Sequence, residues 1–111
     1  MLGSKVTVTI DRPMGSTHPK FPQTVYPINY GYIKGLIAGD GMEQDAYVLG
    51  VDKPLNTFTG KVIAVVKRLN DVEDKLVVAP EGAVFTAEQI LKAVEFQEKY
   101  FKIQLITRDI T

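Results

Sequence analysis

The sequence contains no cysteine, and this absence removes two kinds of site. Without thiols the chain can form no disulfide and can offer no thiolate to a metal ion. Histidine is also scarce, because His18 is the single one in the sequence. Histidine-built zinc sites use two or three such residues, so a zinc hydrolase is not expected. A bound metal would therefore be held by oxygen atoms, which favours Mg²⁺ or Mn²⁺.

The sequence also lacks an excess of charge of either sign, since 13 basic residues balance 13 acidic ones. A nucleic-acid-binding protein usually carries a basic excess that neutralises phosphates, so no nucleic-acid partner is expected. No apolar run reaches the length of about 18 residues that a membrane-spanning helix needs, so no membrane partner is expected either. The first residues lack the apolar stretch of a signal peptide, which predicts a cytoplasmic protein.

The length of 111 residues fits one domain over residues 1–111, and 45% hydrophobic residues suit a globular core. Alternating or continuous β-branched and aromatic residues predict several short strands, separated by segments rich in glycine and proline. We predict strands at 6–10, 26–33, 45–51, 60–69, 76–79 and 103–110, with loops at 11–23 and 35–44.

Helical spacing appears only in the last third of the chain. Thr86 followed by Gln89 has the spacing of a capping box, in which each side chain bonds the other's backbone. The apolar residues Ile90, Leu91 and Val94 then recur at the spacing of a helix, which we place at 87–100. About five strands and one helix on the C-terminal side predict a mainly β fold with α, a small barrel of the OB type.

Two acidic segments could hold a metal ion. Asp40 and Asp45 lie five residues apart around Gly41, so a loop could turn both carboxylates toward one cation. The alternative is an ordinary turn, because Asp-Gly is a strong turn dipeptide. The second segment, 71–75, joins three acids to Lys75 between two apolar strands, and a solvated hairpin tip is its alternative.

Aromatic residues dominate the segment 26–33. Such residues in a strand are normally core or cross-strand pairs. The hydroxyl of Tyr30 could instead hydrogen-bond a phosphate oxygen if it lay beside a metal loop.

These segments in this order resemble the soluble, Mg²⁺-dependent inorganic pyrophosphatases. The resemblance rests on Tyr-Pro-x-Asn-Tyr-Gly-Tyr-Ile at 26–33 and on Asp-Gly-x-x-x-Asp at 40–45. Two later segments, 73–80 and 96–100, are similar to the family's second acidic segment and C-terminal helix. The resemblance implies hydrolysis of pyrophosphate to two phosphates, with Mg²⁺ or Mn²⁺ as cofactor.

The resemblance also assigns residues to roles. The metal ligands would be Asp40, Asp45, Asp71 and Asp74, with Glu73 able to replace either of the last two. Asp40 and Asp45 would act on the attacking water, and the phosphate groups would be bound by Tyr30, Lys75 and Tyr100. Family members commonly assemble, so a homo-oligomer stays open.

The chain departs from the family at two places. Met42 stands where the family has an aspartate that helps to deprotonate water, and the adjacent Glu43 is the candidate replacement. The segment before Tyr26 is short, so Arg12, Lys20 and His18 are candidates for the missing cationic or hydrogen-bonding groups. Two alternatives follow: a catalytically impaired module that binds phosphate or metal, and a metal-dependent hydrolase of another phosphate compound.

Overall fold

The computed structural model of the protein describes residues 2–107, which form six strands and one helix. The strands are β1 (Lys5–Arg12), β2 (Asn29–Ile37), β3 (Glu43–Val48), β4 (Thr57–Arg68), β5 (Asp74–Ala79) and β6 (Ile103–Thr107). The helix α1 (Ala87–Glu98) lies between β5 and β6 in the chain.

Five of the strands close into a barrel. Their order is β1-β2-β3-β5-β4, and pairing of β1 with β4 completes the ring, while β6 adds to the far side of β4. All pairs are antiparallel except β3 with β5, which is parallel. Closure leaves no free edge in the ring. The predicted OB-type barrel with one helix is confirmed.

The side chains of β3 divide between two cores because successive residues of a strand point to opposite faces. Ala46 and Val48 belong to the cluster that fills the barrel. Tyr47, like Leu49 just after the strand, belongs to a second cluster, which also contains Ile90 and Val94 of α1. The helix is therefore held against the outer face of the barrel, and Tyr47 packs against it.

A bulge turns the second half of β4 toward the helix. The pairing of β4 with β5 shifts register between Val62 and Ala64. Such an extra residue reverses the inward and outward faces of the strand that follows. Val62 consequently lies in the barrel core, whereas Ala64 and Val66 pack with the helix.

The predicted elements are found, with different ends. The capping box of Thr86 and Gln89 is confirmed, and the helix ends at Glu98 rather than 100. The predicted loop at 35–44 is shorter, because β2 runs on to Ile37 and β3 begins at Glu43. The last strand is present to Thr107, and the rest of the predicted span to 110 lies outside the described residues. Within residues 2–107 the helix α1 is not long and apolar enough to cross a membrane.

Gly31 lies where β2 and β1 approach most closely. A methyl group at Gly31 would overlap the carbonyl oxygen of Thr9 and lie 2.7 Å from its carbonyl carbon. Because backbone atoms cannot move aside as a flexible side chain can, Gly31→Ala should lower the free energy of unfolding by about 1–3 kcal/mol. Urea unfolding followed by circular dichroism measures this loss.

Gly39→Ala is the matched control. A methyl group there would meet only the carbonyl oxygen of Val72, at 3.3 Å. We expect a smaller loss of stability than at Gly31. Equal stability of the Gly31→Ala variant and the natural chain would contradict the close packing of β1 on β2.

Candidate functional site

A cavity of about 710 Å³ lies on the outer face of the barrel, where the β1–β2 loop, β2, β3, β5 and the end of α1 meet. Its lining combines charged side chains from the strands with aromatic ones from the loop and helix. The lining consists of Asp11, Arg12, His18, Phe21, Gln23, Thr24, Tyr26, Tyr30, Asp45, Arg68, Glu73, Lys75, Phe96, Gln97, Tyr100 and Phe101.

Lys75 is the charged centre of this cavity, and its side chain is only 3% exposed. Its ammonium nitrogen donates to Asp45 Oδ2 at 2.6 Å, to Glu73 Oε2 at 2.7 Å and to the hydroxyl of Tyr30 at 2.8 Å. The two carboxylates are more open, at 29% and 27% exposed. Because an ammonium group has three N–H donors, all of them are used here.

The parallel pairing of β3 with β5 brings Lys75 to Asp45. Ala46 is the register partner of Leu76, and both point into the barrel. The residue before each one therefore points to the outer face, beside its neighbour. Two residues thirty apart in sequence thus become an ion pair through strand register alone.

Burial raises the pKa of the Tyr30 hydroxyl well above its ordinary value, and the charge of Asp45 raises it further. The phenol consequently keeps its proton across the physiological range. Its oxygen accepts from Lys75 at 2.8 Å.

Arg68 connects this cluster to the helix. Its guanidinium binds Glu98 through two nitrogens, Nε to Oε1 at 3.0 Å and Nη2 to Oε2 at 2.8 Å. Its third nitrogen, Nη1, donates to Glu73 Oε1 at 3.3 Å. Burial lowers the pKa of Arg68, but the bonds and charge of Glu98 outweigh it, and the net shift is upward.

The hydroxyl of Tyr47 completes the buried network by donating to Glu98 Oε2 at 2.6 Å, and it accepts from Gln97 at 2.8 Å. Burial, followed by the charge of Glu98, raises the pKa of Tyr47 far above its ordinary value. The end of α1 is therefore fixed by hydrogen bonds to β3 and β4.

Asp11 and Arg12, at the end of β1, form a second charged pair at the cavity. Arg12 Nη1 lies 3.9 Å from Asp11 Oδ2. Burial raises the pKa of the Asp11 carboxyl, Arg12 lowers it, and Asp45 raises it through like-charge repulsion. The net shift of the pKa is upward, and the charge of Asp45 contributes to it from β3.

Five of the aromatic side chains in the lining, which we call the aromatic wall, come from the β1–β2 loop and the C-terminal end of the helix: His18, Phe21, Tyr26, Phe96 and Tyr100. The ring of His18 stacks on Tyr26 with centroids 6.3 Å apart and lies 5.0 Å from Phe21. Tyr26 also meets Phe96 edge to face at 5.4 Å. Such contacts between rings stabilise one arrangement over others.

Solved structures identify the architecture. The chain aligns over 88% of its length with 74% of an inorganic pyrophosphatase from Neisseria gonorrhoeae, at 21% identity and a TM-score of 0.67. The chain aligns over 96% of its length with 88% of an inorganic pyrophosphatase from Coxiella burnetii, at 15% identity and a TM-score of 0.72. The chain has the inorganic pyrophosphatase fold. The resemblance is thereby confirmed at the level of fold.

A third structure with the pyrophosphatase fold, from Thermus thermophilus, aligns with 94% of this chain and 83% of its own, at 18% identity and a TM-score of 0.66. No family model matches the chain, and no curated protein matches it in sequence. The likeness therefore lies in the arrangement of the backbone.

The structure brings together seven of the twelve residues that the sequence analysis selects. The seven that line the cavity are Arg12, His18, Tyr30, Asp45, Glu73, Lys75 and Tyr100. Tyr100 is 70% exposed, just beyond the end of α1. Lys75 bonds both Tyr30 and Asp45, and the roles of the three residues stay predictions.

The other selected residues lie outside the cavity lining, and several of their carboxylates serve local turns. Asp40 Oδ1 accepts from the backbone of Met42 at 3.0 Å. Glu43 Oε2 accepts from the backbone of Gly35 at 3.0 Å. Asp71, Asp74 and Lys20 are likewise absent from the lining.

Of the four predicted metal aspartates Asp45 alone lines the cavity, and their role as metal ligands stays a prediction. Within residues 2–107 no group of three or more acidic or histidine side chains is arranged to hold a metal ion. Asp71 instead points toward Arg68, at 3.8 Å from Nη1. Its segment is a short turn before β5, and of its acids Glu73 is the one that reaches the cavity.

Nine of the sixteen lining residues were not selected from the sequence, and they include two charged ones, Asp11 and Arg68, and the exposed Phe21. Arg68 lies two residues after Val66, so both side chains point to the outer face of β4. The bulge after Val62 that sets this face cannot be recognised in the sequence. Phe21 lies in a segment that reads only as loop.

The pair Arg68–Glu98 gives a direct test of this network. Replacing Glu98 by alanine leaves a guanidinium buried without its partner, so Glu98→Ala should lower the free energy of unfolding by about 3–5 kcal/mol. Denaturant unfolding measures the loss. Glu95→Ala, on the exposed side of the same helix, should change stability much less. Similar losses in the two variants would contradict the structural importance of the buried pair.

Proposed function

We propose that the chain binds pyrophosphate in the cavity around Lys75 and hydrolyses it slowly with Mg²⁺. The observation that carries the proposal is the ammonium group of Lys75, buried and bonded to Asp45, Glu73 and Tyr30, in a chain with the pyrophosphatase fold. Cationic and hydroxyl groups at one place suit an anion rich in oxygen. Arg12 and Tyr100 add donors at the cavity's edge.

The charge of the connected network explains why a divalent cation would be needed. The carboxylates of Asp45, Glu73 and Glu98 outnumber the cations of Lys75 and Arg68, while Asp11 and Arg12 balance each other. An incoming pyrophosphate would meet net negative charge and be repelled. A cation that accompanies the substrate removes this repulsion.

The donor set fits one Mg²⁺ ion better than several. Mg²⁺ is commonly held by one or two carboxylates together with substrate phosphates, and Asp45 and Glu73 can supply two. When bound there, the ion would lower the pKa of a coordinated water and offset phosphate charge. Manganese has the same preference for oxygen and would serve in its place.

Lys75 would couple the two binding events. Its three donors are all occupied, so a phosphate oxygen can bond the ammonium only by replacing one of the present acceptors. Replacing Asp45 or Glu73 frees a carboxylate to act as a metal ligand. Substrate and cation would therefore bind together more strongly than either does alone.

Asp45→Asn tests this function. The amide keeps the shape of the side chain but removes the charge, so Mg²⁺-dependent phosphate release from pyrophosphate should fall by about 100-fold or more. A second readout is calorimetric binding of Mg²⁺ in the presence of phosphate, which should weaken as well. Asp52→Asn, outside the cavity lining, should leave both quantities near those of the natural chain. Absence of phosphate release from the natural chain at any Mg²⁺ concentration would defeat the hydrolytic function.

A second candidate function is binding of the phosphate compound without turnover. It is favoured by Met42, which stands where the soluble inorganic pyrophosphatases have a proton-accepting aspartate. Met42 is 68% exposed. Of the acidic residues in the segment 40–45, Asp45 alone lines the cavity. In this alternative, Lys75 and Arg12 hold an anion that is never cleaved.

Met42→Asp separates the two candidates. Because residue 42 lies outside the cavity lining, we expect the new carboxylate to leave phosphate release unchanged within about twofold. A correctly placed general base typically contributes about 10²–10⁴-fold. A gain of that size on substitution would instead favour a natural chain that only binds.

A further inference from the structure

The lining of the cavity has two chemically different parts. One part, which we call the charged floor, consists of Arg12, Asp45, Glu73 and Lys75. The other part is the aromatic wall. Pyrophosphate consists only of phosphorus and oxygen, so it has bonding partners on the charged floor and at tyrosine hydroxyls, but none on the ring faces of Phe21 and Phe96. A cavity of about 710 Å³ is of the size that encloses a larger organic ligand.

Two members of the aromatic wall expose apolar surface that the fold does not require, whereas Tyr26 is buried and Phe96 packs on the second core. Phe21 is 55% exposed and Tyr100 is 70% exposed, so neither contributes much to either core. Exposed rings that line a cavity together with a few polar groups are typical of small-molecule sites. Phe21 and Tyr100 flank the charged floor from the loop and from the end of the helix.

The position of Phe21 is fixed by hydrogen bonds in the β1–β2 loop. The imidazole Nδ1 of His18 accepts from the backbone N–H groups of Lys20 at 3.0 Å and Phe21 at 3.3 Å. The backbone of Thr24 bonds both His18 and Phe21, which closes the loop into a tight turn. A wall that is ordered before binding loses little conformational entropy when a ligand arrives.

We propose that the cavity binds a nucleoside diphosphate, with the planar base against the aromatic wall and the diphosphate on the charged floor. The base suits the wall because every nucleobase has a face that stacks on aromatic rings, which typically contributes about 1–3 kcal/mol per base. The inference rests on the proposed function for the placement of the diphosphate and extends it to the group attached to that diphosphate.

The test compares two ligands that differ only in the nucleoside. Methylenediphosphonate and α,β-methylene-ADP both carry a P–C–P bridge that water does not cleave, so titrations of the full chain can include Mg²⁺. Isothermal titration calorimetry should give at least about five-fold tighter binding of the adenosine-bearing ligand, as expected for one stacked base.

Phe21→Ala should reduce this preference for the adenosine-bearing ligand by about five-fold. Phe21→Tyr, which keeps a ring at the same place, should retain the preference. Val84→Ala is the matched surface control, since Val84 is 89% exposed and outside this cavity. Circular dichroism checks that each variant is folded.

The outcomes separate this inference from the proposed function. Equal affinities for the two ligands, or a Phe21→Ala effect that is the same on both, would overturn the nucleoside site even if pyrophosphate is hydrolysed. A preference that depends on Phe21 would support the site even if pyrophosphate is not hydrolysed. Failure of both ligands to bind would overturn the inference together with the proposed anion site.

Discussion

The ammonium group of Lys75 is the feature on which the site depends. A buried charge is costly unless it is paired and hydrogen-bonded, and this one has three partners within 2.8 Å. Its partners come from β2, from β3 and from the turn before β5. The pairing of these strands therefore fixes the charged floor, and any change in their register would leave the ammonium without compensation.

The same charges join the barrel to its helix. Glu73 accepts from Lys75 through one oxygen and from Arg68 through the other, and Arg68 in turn binds Glu98 of α1. Removing one partner of a buried ion pair destabilises the fold more than replacing both partners by apolar residues does, because the remaining charge stays buried without compensation. The network accordingly selects one position of the helix end, and with it the positions of Gln97 and Tyr100 at the cavity.

Local patterns predict the elements of this fold well, whereas the site depends on register that local patterns do not contain. Period-two alternation and the capping box of Thr86 identify strands and helix from neighbours a few residues apart. The motif resemblance assigns Asp45 and Lys75 to one site, but their ion pair follows from the pairing of β3 with β5, and the exclusion of Asp40 follows from its own turn. The bulge after Val62, which aims Arg68 outward, is visible only once β4 and β5 are paired.

The short acidic turn before β5 explains why the predicted cluster of aspartates gives way to a lysine-centred one. Asp71 lies in the turn before β5, and its carboxylate accepts from the backbone N–H of its neighbour Val72. The carboxylate therefore stays outside the cavity lining. Glu73, two residues before Lys75, reaches back over the same face and bonds it directly. With a protein ammonium already between two carboxylates, a metal ion and its anion must compete with that ammonium for the same oxygens. A ligand that supplies both a cation and phosphate oxygens satisfies every group at once, whereas either alone leaves a charge uncompensated.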